Sequence, residues 1–156
     1  MRQGRAPSMS LYLEDFHVGL RTSGGSHSLD VAQIKAFAGE FDPQPFHLDE
    51  AAADESIFGG LCASGWHTAA LTMKLITQVK PPIAGGIIGA GAELNWPTPA
   101  RPGDVLRVEC EALEVRPSRS KPDRGIVLMQ IRTLNQHDEV RQDLKAKLLV
   151  FRREAA

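Results

Sequence analysis

The chain has 156 residues, which is the length of one ordinary domain. Its composition is 42% hydrophobic and 24% charged, as in globular domains with a packed core, and this excludes disordered and fibrous classes. The 18 Lys and Arg residues and the 19 Asp and Glu residues give a formal net charge of −1. The chain therefore lacks the positive field of a non-specific nucleic-acid binder, and we expect no DNA or RNA partner.

The two cysteines, Cys62 and Cys110, lie far apart and belong to no CxxC or Cys/His cluster. We expect neither a disulfide framework nor a structural zinc site, and this cysteine usage favours the cytoplasm. No apolar segment typical of a signal peptide occurs before Glu14. The stretch 62–79 is poor in charge but contains too many Ser, Thr, His and Gln side chains for a lipid-facing span, so we expect no membrane association.

The first predicted element is a short helix over residues 31–40. Ile34 and Phe37 recur there at helical spacing, Asp30 is a suitable N-cap, and Pro43 prevents extension.

A long loop punctuated by Pro and Gly follows over residues 42–60, with one turn of helix expected at 50–54. Apolar residues then surround nearly the whole helical circumference over 63–79, before Pro81. This pattern predicts a central helix enclosed by other structure.

Beyond Gly85 apolar and polar residues alternate with a period of two, which predicts half-buried strands. The predicted strands are residues 87–96, 106–112, 125–133 and 144–150. Because helices precede strands, the pattern favours an α+β fold with an antiparallel meander. Gly89 and Gly91 in the first of these strands indicate a close approach by the central helix or by a ligand.

Asp42 and His47 are the first candidate site residues. Pro43 and Pro45 restrict the backbone between them, so the two side chains can converge on one water without a helix or strand to align them. Because Asp42 follows the first helix, the helix dipole and partial burial are expected to raise its pKa. The alternative is that Asp42 caps backbone amides and His47 packs beneath the loop.

Gly59 and Gly60 precede the predicted central helix, whose first N–H groups lack partners within the helix. Such N–H groups can stabilise a developing oxyanion. The alternative is that the two glycines only form a tight turn into the helix.

Two sequence blocks together resemble the MaoC-like dehydratases, which include the (R)-specific enoyl-CoA hydratases. Residues 37–49, FAGEFDPQPFHLD, look like the hydratase signature of an Asp, then Pro, then His five residues after the Asp. Residues 58–68, FGGLCASGWHT, look like the glycine turn that enters the central helix of the family. The similarity covers roughly residues 11–151.

The resemblance implies a hot-dog fold, an antiparallel sheet wrapped around a long central helix. It implies one MaoC-like domain over residues 11–152, preceded by a flexible segment over residues 1–10. The implied activity is reversible addition of water to a trans-2-enoyl thioester, giving an (R)-3-hydroxyacyl thioester, with coenzyme A as part of the substrate and no other cofactor. At least a homodimer is expected, because a single sheet leaves an edge to cover.

By the same resemblance, Asp42 is the base, His47 orients the water and the Gly60 N–H, beside Gly59, holds the thioester oxygen. Thr68 occupies a position where related hydratases carry a small hydroxyl residue, and a plain core-facing threonine is its alternative. No metal is expected. Two rival functions remain open, a hot-dog thioesterase and a non-catalytic subunit that binds acyl thioesters.

Gln44 and Phe46 stand where Asn and Leu or Ile are common in the family, which implies a reshaped acyl pocket. His67 is interpreted as a hydrogen-bonded core histidine. The basic loop 116–124 is interpreted as a solvated hairpin end, with contact to coenzyme A phosphates or an acidic carrier protein as the alternative. A metal site around residues 47–49 is disfavoured, because no further ligands cluster there.

Overall fold

A computed structural model describes residues 9–154. The segment 1–10, predicted to be flexible, lies almost entirely outside these described residues. The strands are β1 (Arg21–Ser28), β2 (Ile88–Asn95), β3 (Val105–Pro117), β4 (Arg124–Leu134) and β5 (Val140–Phe151). The helices are α1 (Val31–Phe41), α2 (Pro45–Leu48), α3 (Glu50–Asp54) and α4 (Gly65–Ile76), after a short 3-10 turn at Leu13–Asp15.

The five strands form one antiparallel sheet in the order β1-β3-β4-β5-β2. Buried and exposed residues alternate along β3 and β4, which confirms the predicted period of two. The order leaves β1 and β2 at the two edges of the sheet. Residues on the inner face, such as Val108 and Ile131, belong to the same core cluster as Leu71 and Leu75 of α4.

The long helix α4 packs against β1, β3 and β5. Its buried side chains include Leu71 and Leu75, whereas Trp66 is 62% exposed and Met73 is 42% exposed. The prediction that this helix is enclosed on nearly all sides is therefore wrong. One face of α4 packs against the sheet, and the other is partly open to solvent within the described chain.

Both predicted helices exist, but the predicted ends are accurate for α1 and less accurate for α4. Helix α1 matches its prediction, and the Asp30 side chain accepts a hydrogen bond from the Gln33 N–H at 2.8 Å. Helix α4 is shorter than predicted. The Ala63 N–H donates to the Ala100 carbonyl oxygen at 2.9 Å, so Ala63 belongs to the preceding loop, and Ser64 is the N-cap. The predicted turn of helix at 50–54 is confirmed as α3.

Strand β1 has no counterpart in the sequence prediction, because its sequence RTSGGSHS lacks alternating apolar residues. It pairs with β3 as an edge strand, with an irregularity between Gly24 and His27. Gly25 has φ +68°, and a Cβ there would lie 2.6 Å from the Gln78 side chain. The polar edge strand therefore depends on a glycine where it passes the C-terminal end of α4.

Strand β2 contains Gly89 and Gly91 with a register shift between them. A Cβ at either position would meet nothing within 4 Å in the described chain, so the predicted close approach to the central helix is wrong. Gly91 instead has φ +157°, at the irregularity of the strand.

No helix within residues 9–154 is both long enough and apolar enough to cross a membrane.

Candidate active site

His47 is held in a fixed orientation by α2. Pro45 occupies the first turn of this short helix, so the predicted absence of helix between Asp42 and His47 is wrong. The ring is buried, and its Nδ1 lies 2.6 Å from the Cys62 carbonyl oxygen. The Phe46 ring packs edge-on against it, with centroids 4.6 Å apart. Because a carbonyl oxygen only accepts hydrogen bonds, Nδ1 carries a proton.

Asp42 is the C-cap of α1, and its N–H donates to the Ala38 carbonyl oxygen at 2.9 Å. Its Oδ2 lies 3.3 Å from Nε2 of His47, and its side chain is 17% exposed. The Gln44 side-chain amide donates to Oδ1, and the Ser64 hydroxyl lies close enough to the carboxylate to lower its pKa. The structure thus brings together the acid and the imidazole that the sequence proposes.

The prediction that Asp42 has a raised pKa is wrong. Burial does raise the pKa, but hydrogen bonds from Ser64 and Gln44 and the neighbouring His47 outweigh it, so the pKa lies below its ordinary value. Burial and the helix dipole can be foreseen from the sequence, whereas the contact with Ser64 depends on the fold. Asp42 is therefore an ionised carboxylate at neutral pH, ready to accept a proton.

The arrangement leaves two hydrogen-bond acceptors side by side. With Nδ1 donating to Cys62, the uncharged form of the His47 ring has its lone pair at Nε2, facing the Asp42 carboxylate, whereas the protonated form donates Nε2–H to that carboxylate. A single water can donate one O–H to each of these atoms. The pair can also hold one proton between them, which is the property that general acid–base catalysis requires.

Gly59 and Gly60 lie in a turn beside this pair. The turn is connected to α2 because the Cys62 N–H donates to the Phe46 carbonyl oxygen at 3.4 Å, and the Phe46 and Phe58 rings lie 5.0 Å apart. Helix α4 begins at Gly65, so the two glycines precede the helix as predicted, but their N–H groups are not those of its first turn.

The two glycine N–H groups differ in their partners. Gly59, with φ +63°, donates to the Ser56 carbonyl oxygen at 3.0 Å. Within residues 9–154 the Gly60 N–H has no hydrogen-bond acceptor, and Gly60 is partly exposed. Gly60 is therefore the one of the two with a donor available to a bound molecule.

Thr68 is buried on α4, and its carbonyl oxygen accepts from the Thr72 hydroxyl at 2.8 Å. Among the described residues no hydrogen bond joins the Thr68 hydroxyl to Asp42 or His47. Ser64, one turn earlier, is instead the hydroxyl residue that lowers the pKa of the Asp42 carboxylate. Sequence reasoning missed Ser64, although a serine directly before a helix is a typical N-cap.

His67 is buried as predicted, but no hydrogen bond to its ring is found within the described residues, so its interpretation as a hydrogen-bonded histidine is wrong. Its ring stacks on Phe37 with centroids 4.5 Å apart and an interplanar angle of 4°. Nδ1 has no partner within the described residues, and burial lowers the pKa of the ring to about 4. His67 is therefore neutral at neutral pH.

The two cysteines, a possible metal site and the basic loop are the weaker candidates. Burial raises the pKa of both Cys62 and Cys110, in agreement with their interpretation as small core residues. Within residues 9–154, no three His, Cys, Asp or Glu side chains are grouped so that they can hold a metal ion. In the basic loop, Arg116 and Arg124 form exposed ion pairs with neighbouring carboxylates, as expected of a solvated hairpin end.

An antiparallel sheet around one long helix, with an Asp–His pair beside that helix, defines a hot-dog protein with a carboxylate–imidazole site. The MaoC like domain family matches residues 19–131, and the chain belongs to this family.

Three known proteins are similar to this chain. The chain is similar to the crystal structure of the MaoC-like dehydratase from Rhodospirillum rubrum, at 60% identity and a TM-score of 0.90, covering 94% of this chain and 100% of that one. It is 32% identical to the 3-hydroxybutyryl-CoA dehydratase of Methylorubrum extorquens, over 94% of this chain and 88% of the relative. It also resembles the unliganded R-hydratase PhaJ1 from Pseudomonas aeruginosa, at 27% identity and a TM-score of 0.74, over 94% and 92% of the two chains. These likenesses confirm the predicted fold and family, and they support a hydratase or dehydratase activity.

Proposed function

We propose that this protein adds water reversibly to a trans-2-enoyl-CoA thioester and forms an (R)-3-hydroxyacyl-CoA. The observation that carries the proposal is the pair of acceptors formed by the Asp42 carboxylate and His47 Nε2, 3.3 Å apart. Water held by two acceptors has its oxygen lone pair directed away from them, towards a substrate carbon. The (R) configuration is proposed from the likeness to the R-hydratase.

In the proposed mechanism, Asp42 accepts a proton from the water as the water oxygen bonds to the β-carbon. The π electrons of the double bond move towards the thioester carbonyl and give an enolate, whose oxygen accepts a hydrogen bond from the Gly60 N–H. His47 orients the water and helps return a proton from the pair to the α-carbon. Water is thereby added across the double bond, and coenzyme A takes part only as a portion of the substrate, with no other cofactor.

We further propose that the protein acts in the cytoplasm as at least a homodimer. The edge strand β2 is exposed along most of its length, and Trp66 and Met73 lie on the open face of α4. A second copy that pairs with this edge would cover both surfaces and place the acyl pocket near the interface. Light scattering at micromolar concentration tests this, and a stable, fully active monomer would contradict it.

The activity is tested with a panel of enoyl-CoA substrates of different length and branching, followed in parallel for loss of the conjugated enoyl chromophore and for free thiol. Hydration removes the chromophore without releasing thiol, and chiral chromatography of the product then checks the (R) configuration. Thiol release without chromophore loss from saturated acyl-CoA would identify a thioesterase. Binding with both traces flat across the panel would identify a non-catalytic subunit.

A further inference from the structure

The guanidinium of Arg101 lies against the backbone of the Gly59–Gly60 turn. Its Nη1 donates to the Gly60 carbonyl oxygen at 2.8 Å, and its Nη2 donates to the Phe58 carbonyl oxygen. Nη1 also lies 3.5 Å from the Leu61 carbonyl oxygen. One planar side chain therefore contacts three carbonyl groups of four consecutive residues.

The two contacts lie on either side of the peptide unit that carries the Gly60 N–H. That unit is planar and joins Gly59 to Gly60, so it lies between the two carbonyl groups that Arg101 holds. Gly59 has φ +63°, and glycine backbones are freer to rotate than those of other residues. A rigid guanidinium fork that holds the peptides on both sides restricts that rotation.

Arg101 is itself anchored in a buried polar network. Its backbone N–H donates to Oδ2 of Asp104 at 2.8 Å. Asp104 is buried and accepts from Arg141 Nε at 2.8 Å and from the Asn135 amide at 3.1 Å. The turn that carries Gly60 is thus connected through Arg101 to the β4–β5 connection.

The charged guanidinium of Arg101 forms its hydrogen bonds with carbonyl oxygens of the turn. Within the part of the chain that the structure describes, its guanidinium forms no ion pair with a carboxylate. The positive charge reaches the neighbouring site, because it opposes the effect of burial on the pKa of the Cys62 thiol. A cation near a hydrogen-bond donor favours negative charge on a group that accepts from that donor.

We propose that Arg101 is a positioning residue for the hydration reaction: by holding the Phe58 and Gly60 carbonyl oxygens, it aims the Gly60 N–H at the thioester oxygen. This inference rests on the proposed function. The enolate oxygen carries charge only as the reaction proceeds, so loss of the alignment lowers kcat and leaves substrate binding almost unchanged.

The test uses Arg101→Gln, which removes the charge and the fork, and Arg101→Lys, which keeps the charge without the fork. Arg153→Gln is the matched control, because it makes the same charge change at an exposed ion pair with Asp15. Circular dichroism confirms folding of each variant, and Arg101→Lys keeps the test decisive if Arg101→Gln is unstable.

The first readout does not depend on activity. Backbone ¹⁵N relaxation of Gly60 is expected to show a rigid amide in the wild type, with an order parameter of about 0.85, and a flexible one below about 0.6 in Arg101→Gln. The second readout is enoyl-CoA hydration. Since loss of one oxyanion donor costs about 10²–10³ in kcat, its misalignment in Arg101→Gln should lower kcat by about tenfold to hundredfold, with KM changed less than about threefold. Arg101→Lys should fall between Arg101→Gln and the control.

If the wild type is active and Arg101→Gln changes neither the Gly60 order parameter nor kcat, the proposed role of Arg101 is overturned. The proposed function would still stand. A loss of kcat with an unchanged Gly60 order parameter would also overturn the role of Arg101. A wild-type protein that hydrates no enoyl-CoA would overturn the proposed function, and the relaxation data would then show separately whether Arg101 orders the turn.

Discussion

Replacing His67 with phenylalanine is expected to make the stability of the protein less sensitive to acid. The ring of His67 is buried and stacks on Phe37, and Nδ1 has no partner within the described residues. Burial lowers its pKa to about 4, from an ordinary value of 6.5. A phenylalanine ring keeps the stacking and removes the titratable group.

The size of the effect follows from these two pKa values. As pH falls below 6.5, the unfolded chain binds a proton at this position and the folded chain does not, so the free energy of unfolding decreases. At pH 5 this one group accounts for a loss of about 2 kcal/mol, and below pH 4 for about 3 kcal/mol. Above pH 7 the group has almost no effect on the pH dependence.

Urea unfolding at pH 8 and pH 5, at one protein concentration, measures the effect in the wild type and in His67→Phe. The wild type is expected to lose about 2 kcal/mol more than the variant between the two pH values. His17→Phe, at an exposed position, is the control and should behave like the wild type. Equal pH dependence in the wild type and His67→Phe would refute the reasoning.

Three further substitutions test the surroundings of the site. Ser64→Ala removes a hydrogen bond that lowers the pKa of Asp42, so the acid limb of the kcat/KM profile should move to higher pH, and loss of the N-cap should cost about 1 kcal/mol in urea unfolding. Arg141→Met leaves the buried carboxylate of Asp104 without its cation, and thermal or urea unfolding should show a loss of about 3–5 kcal/mol. Thr68→Val should change hydration kinetics little, because no hydrogen bond joins its hydroxyl to the catalytic pair within the described residues, and a large loss of kcat would show that Thr68 contacts substrate.

The elements that sequence reasoning predicted well are those whose signal is local. The N-cap Asp30 and the helical spacing after it define α1, and alternating apolar residues define β3 to β5. Asp42 and His47 were found for the same reason, since both residues and the two prolines between them lie within six positions. Local sequence and the resemblance to the family together predict this pair, although the short helix α2 that orients His47 was not predicted.

The features that were missed depend on contacts between distant positions. Strand β1 is specified by its pairing with β3 and not by its own polar sequence. The pKa of Asp42 was predicted in the wrong direction because Ser64, which lies far away in the sequence, supplies a hydrogen bond. Arg101 gave no signal for a similar reason, since its partners Phe58 and Gly60 lie about 40 positions away.

The central claim is that Asp42 accepts the proton of the attacking water, and steady-state hydration by Asp42→Asn tests it most directly. Asparagine keeps the shape of the side chain and removes the base, so kcat should fall by about 10²–10⁴ while KM changes little. His47→Ala should cause a comparable loss, and the double variant should lose far less than the product of the two, because both residues act on one water. A folded Asp42→Asn protein with near-normal hydration of a good substrate would show that Asp42 is not the base and would contradict the mechanism.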